Sequence, residues 1–358
     1  MILDSNNLLF YLLHRGVLNR GEIVDGVSLH DVSPSQNPHR RVFRVLGKDR
    51  SFLVEQAAPG APQEVQRLQR QAVCSRLTEN DDFALLQPYL PAFRHADPAA
   101  NILALAFVPG DSLAVHHARH DSADPESVDL ESVDPELAAE LGEMLGGWHR
   151  VIRISAGDHR VSPLFAGRPP WILTLPRQPF QGNWIAQTVA QDPALRGSLE
   201  SLAASYRVTH LIHGDIHWQK LLVVPGEKPR LRLVGWGQAD AGDPGWDLGS
   251  VIHTYLVPCV LWANRESFSL PAVQPALGQL WRAYRSARGL DDDGALDTLN
   301  SVLRFAAARL IQTSFELGPA GPHAAQLLQL SQNIFLKTGT GPEGTQEVAR
   351  DLLGVEEP

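Results

Sequence analysis

Polar and apolar residues alternate through the first third of the chain, and the period is that of a half-buried strand. EIVDGVSLHDVS (22–33), RRVFRVLG (40–47) and SFLVEQA (51–57) read as three strands, the last two joined across GKDR. PQEVQRLQRQAVCSRL (62–77) changes period: Val65, Leu68, Ala72 and Leu77 recur at helical spacing with a polar opposite face. Two further strands follow, around PAFRH (91–95) and NILALAFV (101–108). The opening segment, MILDSNNLLFYLLHRG, reads as a short amphipathic helix. Its apolar run, Leu8 to Leu13, is short for a secretion signal and is preceded by Asp4 rather than by a positive charge.

VPGDSL (108–113) breaks the pattern and reads as a hinge, dividing a sheet-rich region, 1–107, from a larger helical one, 108–358. Residues 119–136 are acidic and read as a solvated loop. Asp134-Pro135 then supplies an N-cap and a first-turn proline, and Leu137, Leu141, Leu145 and Trp148 form the apolar stripe of the next helix. Residues 155–183 are rich in proline and glycine and read as a long irregular connection. Beyond residue 249 and as far as about residue 337 the pattern is mostly helical, clearest in QLWRAYRSARGL and LNSVLRFAAARLIQTSFEL. The expected fold class is α+β, with a small antiparallel-sheet lobe and a larger helical lobe.

Composition narrows the field. A chain of 358 residues, 44% hydrophobic and 20% charged, is an ordinary globular protein with a sizeable core. Its net charge of -9 repels phosphate backbones, so nucleic acid is not an expected partner. No run approaches the ~20 apolar residues of a membrane span. Cys74 and Cys259 have neither disulfide-framework nor metal spacing, which fits a reduced, cytoplasmic setting. The histidine doublet His116-His117 lies in a region that reads as a loop and has no paired metal-ligand spacing. All eight tryptophans lie at or beyond residue 148; Trp184, Trp218 and Trp262 are the candidates for an aromatic ligand pocket.

The chemistry concentrates in LIHGDIHWQKLLVVPGEKPRLRLVGWGQADAGDPGWDLG, residues 211–249. HGDIHWQKLLV, then LVGW, then GDPGWDLG resembles the aminoglycoside phosphotransferase and choline kinase-like family, which shares the protein-kinase-like fold. The preceding strand pair, the FLVEQ strand, the helix, the VPGDSL hinge and the helix ending near Trp148-His149 occur in that family's order. The resemblance implies a two-lobed fold and ATP-dependent phosphoryl transfer, whose parts are few. Asp215 matches the catalytic-loop aspartate. The asparagine that would help hold magnesium is Lys220, and the principal metal aspartate is Gly235. The strand lysine that would grip phosphates is Glu55, and the helix glutamate that would hold this lysine aligns with Gln71, with Glu64 a poorer match. His213, Asp243 and Asp247 fall on positions that brace the loop, and His217 on a packing position.

Magnesium takes hard oxygen ligands. Glycine offers no side chain and an ammonium repels a cation, so no metal is expected, and no cofactor. Glu55 faces a phosphate with the wrong sign. Arg40, Arg41 and Arg44 remain as cations that could meet it, and Lys48 is the only lysine of this region. The expectation is a degenerate member, a pseudokinase that works as a binding, scaffold or regulatory protein with a protein or peptide partner, in the manner of family members found beside peptide-modifying enzymes. A small-molecule ligand is the other candidate partner. The rival expectations are an active phosphotransferase or AMP transferase using Asp215 and ATP on a small-molecule or peptide hydroxyl, and a metal-independent nucleotide sensor. Glu55 and Lys220 are also expected to pair with one another.

Overall fold

The computed structural model describes residues 2–77, 79–121, 133–154, 163–177, 182–228, 230–318 and 321–355. The chain divides into two compact units. The first holds residues 1–110, 163–165 and 222–239; the second holds 111–162, 166–221 and 240–358.

In the first unit, helix α1 (Leu8–His14) buries Leu8, Tyr11 and Leu12. Helix α2 (Arg20–Val24) occupies the start of the segment read as strand 22–33, and the strand proper, β1, is only Ser28–Asp31. The reason is local. Asn19 accepts the Glu22 N–H and the Glu22 carboxylate accepts the Asn19 N–H, a capping box that starts a helix where alternation suggested a strand. Strands β2 (Arg40–Leu46) and β3 (Ser51–Ala57) form the expected hairpin. Helix α3 (Pro62–Leu77) follows, then β4 (Phe93–Asp97) and β5 (Ile102–Ala106). The five strands form one antiparallel sheet in the order β1-β2-β3-β5-β4. One sheet face buries Phe43, Val45, Phe52, Val54, Ile102 and Ala104 against Leu8, Tyr11 and Leu12 of α1. The other carries Ala57, Leu103 and Leu105, covered by Leu68 of α3.

The second unit begins with the two-residue β6 (Asp111–Ser112) and helix α4 (Leu113–Asp121). His116 and His117 are therefore helical, where the sequence suggested a loop. Most of the acidic run lies outside the described residues. Helix α5 (Pro135–Val151) is capped by Asp134 as expected, its carboxylate accepting the Glu136 and Leu137 N–H groups. Of the proline-rich connection, 163–177 is described and ends in a 3-10 stretch, Trp171–Arg177; residues 155–162 and 178–181 lie outside the described residues. Helices α6 (Trp184–Gln191) and α7 (Pro193–Ser205) lead to strand β7 (His210–Ile212). Strands β8 (Leu221–Val223) and β9 (Leu231–Leu233), neighbours in a sheet, belong to the first unit except for Leu221. Strand β10 (Asp240–Gly242) pairs antiparallel with β7. The rest is helical: α8 (Pro244–Leu261), α9 (Leu270–Arg288), α10 (Asp292–Leu317), α11 (Ala324–Thr338) and α12 (Pro342–Leu353). Among the described residues no helix is long and apolar enough to cross a membrane.

Candidate functional site

The HGD loop leaves β7 and turns at once. Gly214 has φ 79°, a left-handed conformation that glycine enters without a Cβ penalty. The turn is clamped by Asp247, fully buried in the first turn of α8. Its Oδ2 accepts the His213 N–H at 2.7 Å and its Oδ1 accepts the Gly214 N–H at 2.9 Å. The indole N–H of Trp246 donates to the Gly214 carbonyl at 3.0 Å. Asp243 caps α8: one carboxylate oxygen accepts the Gly245 N–H at 2.9 Å, the other the Arg207 N–H at 3.2 Å. Burial raises the pKa of this carboxyl above the ordinary aspartate value. His213, fully buried, accepts the Asp215 N–H at Nδ1, 3.3 Å away. Asp247, Trp246 and His213 thus satisfy the backbone of one tight loop, which an apolar interior would otherwise penalise, while Asp243 holds the start of α8 and Arg207.

Asp215 is presented by that loop with its side chain one-third exposed. One oxygen lies 3.8 Å from His217 Nε2 and the other 3.8 Å from Arg309 Nη2, both beyond hydrogen-bond length. Burial lowers the His217 pKa, and the attraction of Asp215 offsets this only in part. Arg309 comes from α10 and is almost wholly buried. Its guanidinium lies 5.4 Å from the Trp246 ring centroid, and Nη1 donates to Gln312 at 2.9 Å. Burial pulls its pKa below the usual arginine value. Sequence reasoning did not single out Arg309. The available signal was an arginine inside the apolar run FAAARLI, where a charge needs a partner. Lys220 closes the 3-10 turn Trp218–Lys220 that follows the loop, donating its backbone N–H to the His217 carbonyl at 2.8 Å.

Beneath the loop lies a buried polar cluster. His149, fully buried on α5, meets the Tyr284 hydroxyl at 3.1 Å through Nδ1 and comes within 3.6 Å of Asp247 through Nε2. Arg288 donates to His210 Nε2 at 2.8 Å and also to the His149 carbonyl. Because arginine has only donors, His210 Nε2 is the acceptor, and its proton sits on Nδ1, facing the Thr209 hydroxyl at 2.8 Å. Burial, reinforced by the Arg288 charge, pushes the His210 pKa down to about 3.

The first unit holds the other set of expected residues. Glu55, on β3, is only 3% exposed. Its Oε2 accepts from Arg40 Nε at 3.0 Å and Nη2 at 2.6 Å, and its Oε1 accepts from Gln71 Nε2 of α3 at 2.9 Å. Both partners lie in the same unit as Glu55; the sequence had offered Lys220, in the other unit. Glu64 instead pairs with Arg67 at 3.1 Å along α3, so Gln71 is the helix residue that meets the strand. Arg41 donates to the Leu3 carbonyl at 2.8 Å, and Arg44 lies over the Phe107 ring. Gly235 has φ 80° and ψ 44° and opens the 3-10 turn Trp236–Gln238. That turn packs on α3 closely enough that a Cβ on Gly237 would sit 3.2 Å from the Arg67 Cβ.

Where the family resemblance would place a divalent ion, Gly235 has no side chain and Lys220 is a cation, so these two side chains do not fit one. Among the described residues no group of three or more His, Cys, Asp or Glu side chains could hold a metal. Of the candidate aromatic residues, Trp218 is buried against Tyr255 and His117, with ring centroids at 5.2 and 4.7 Å. Trp262 is 37% exposed and packs on Phe268, with Arg265 over its ring. Trp184 opens α6.

The strand order, the helix on the sheet and the clamped HGD loop are those of a protein-kinase-like fold. Solved structures agree on the fold. An ethanolamine kinase from Plasmodium vivax superposes with TM-score 0.54 at 13% identity, covering 92% of this chain and 89% of its own. An aminoglycoside phosphotransferase-like protein from Ralstonia eutropha gives TM-score 0.52 at 15% identity, covering 96% and 98%. Amicoumacin kinase, solved with AMP-PNP, calcium and amicoumacin, gives 0.50 at 12% identity, covering 94% of each chain. No curated protein sequence matches. The chain belongs to the phosphotransferase enzyme family, whose model matches residues 33–291.

Proposed function

We propose that this protein is a phosphotransferase-family member without magnesium-dependent phosphoryl transfer, acting instead as a binding or regulatory protein for a protein or peptide partner. The observation that carries the reading is the strand-to-helix contact of the first unit. Where the family resemblance calls for a lysine on β3 held by a glutamate on the helix, Glu55 accepts from Gln71 at 2.9 Å and is neutralised by Arg40 at 2.6 Å. The contact keeps its structural role and loses its free cation. Gly235 and Lys220 remove the metal donors by the same logic. If each missing electrostatic contact costs about 10²–10³ in rate, the family's usual mechanism has little left to work with.

Calorimetric titration of ATP, with and without magnesium, tests the proposal. We expect no binding heat in either titration. Magnesium-dependent binding would overturn the reading. Binding without metal would replace it by a nucleotide sensor.

A second reading rests on Asp215. It stays one-third exposed on a loop clamped by Asp247, flanked by His217 and Arg309. Such a carboxylate could take a proton from an acceptor hydroxyl. ATP turnover that disappears in Asp215→Asn would favour this reading over the first.

A further inference from the structure

A concave site lies in the helical unit. The start of α7, the middle of α10 and the C-terminal half of α11 line an open cavity of about 630 Å³. That is within the range of small-molecule sites, roughly 300–1,000 Å³. Leu195 and Phe335 give it an apolar wall, and Leu336, 70% exposed, forms a rim.

Its charged residues are unequally used. Asp192 is fully engaged: Oδ1 accepts the Ala194 and Leu195 N–H groups at 2.8 and 3.2 Å, and Oδ2 accepts from Gln332 at 3.0 Å. Arg304, from α10, is not. Its Nη2 reaches the Ser198 carbonyl only at 3.4 Å, and its Nε is buried without a hydrogen-bond partner. Among the described residues no carboxylate pairs with it. Arg288 and Arg309, the other deeply set arginines of this unit, each face a histidine or carboxylate. Burial pulls the Arg304 pKa below the usual value, and no neighbouring charge compensates. A half-buried guanidinium in a cavity wall with no carboxylate beside it is placed to receive an anion.

We infer that this cavity binds a small amphipathic anion, its carboxylate or phosphate head on Arg304 and its apolar body against Leu195, Phe335 and Leu336. The inference is independent of the phosphotransfer question, since none of these residues belongs to the catalytic loop.

Three probes with one tail test it by calorimetry: n-octanoate, n-octyl phosphate and n-octyl glucoside. At least one anion should bind, the glucoside at least about tenfold more weakly, and the better anion names the head group. Arg304→Gln should weaken the anion by at least about tenfold. Gly197→Leu should abolish binding of every probe. Gly197 lines the cavity, and a Cβ added there would meet nothing within 4 Å, so a side chain can be introduced at this point of the lining, and it also favours the α7 helix. Should Arg304→Gln fail to fold, Gly197→Leu decides. Failure of both anions to bind, unchanged affinity in both variants, or glucoside affinity equal to that of the anions would each overturn the inference.

Discussion

Glu55 carries the most information of any single side chain. It sits on an interior strand of the sheet, opposite Val42 on one side and Leu103 on the other. A carboxylate there must be paired, and Arg40 and Gln71 do this from the adjacent strand and the covering helix. The two partners differ in how they fail. Arg40 is 39% exposed and can rehydrate when Glu55 is lost, whereas Glu55 cannot. Arg40→Met should therefore cost about 3–5 kcal/mol, the figure for stranding one member of a buried pair. Glu55→Gln should cost about 1–3 kcal/mol, since it leaves only imperfect hydrogen bonds to Gln71. Urea melts of both variants measure the order. A larger loss in Glu55→Gln would mean that the pair is not held by burial of the acid. Gly235 makes a complementary point: its left-handed backbone suits glycine, and at that position the chain offers no side-chain ligand.

Helices α5 and α9 show packing that the apolar stripe does not describe. Leu137, Leu141, Leu145 and Trp148 supply the stripe, but the closeness of approach comes from Gly142 and Gly146. A Cβ on Gly142 would lie 2.3 Å from the Leu280 carbonyl oxygen, and one on Gly146 would lie 2.7 Å from that of Tyr284. Both obstacles are backbone atoms, which cannot swing aside. Alanine at either position gains about 1 kcal/mol of helix propensity. Prying two packed helices apart costs about 1–3 kcal/mol or more. The clash should win at Gly142, where the overlap is deepest, so Gly142→Ala should lower the unfolding midpoint, read by thermal circular dichroism. A rise would show that α5 shifts freely. The same pair of helices carries His149, Tyr284 and Arg288, the cluster beneath the HGD loop, so loosening it should also loosen Asp247 and the loop it clamps.

The helical unit holds several buried histidines neutral. Burial lowers the pKa of His149, His210 and His253, and that of His210 falls to about 3. An unfolded histidine titrates near 6.5. Between these values the unfolded chain binds more protons than the native one, so stability rises with pH. The contribution is complete above about pH 6.5 and is lost as pH falls toward 3, by up to about 1.4 kcal/mol per pH unit for each such histidine. Lowering the pH from 7 to 5.5 should therefore reduce the melting temperature by about 2–4 °C per kcal/mol lost. His210→Gln, whose amide oxygen can still accept from Arg288, should flatten that slope. An unchanged slope would remove His210 from the account.

Much of this was legible along the chain, because the relevant forces act over a few residues. Alternation revealed β2, β3 and β5, helical spacing revealed α3 and α5, and the Asp134-Pro135 cap marked where α5 begins. The spaced motifs of residues 211–249 carried the family, since a loop that must satisfy its own backbone needs particular residues at particular places. Local chemistry was also where alternation misled, at α2, because a capping box outweighs a period over so short a span. What the sequence could not supply are partners brought together from far apart. Arg309 reaches Asp215 across 94 positions, Glu55 is claimed by Arg40 and Gln71, and Arg304 lines a cavity with its Nε unpartnered. Charge signs and spacings determine what each residue needs; only the packing of strands and helices determines which neighbour meets that need, and where none does.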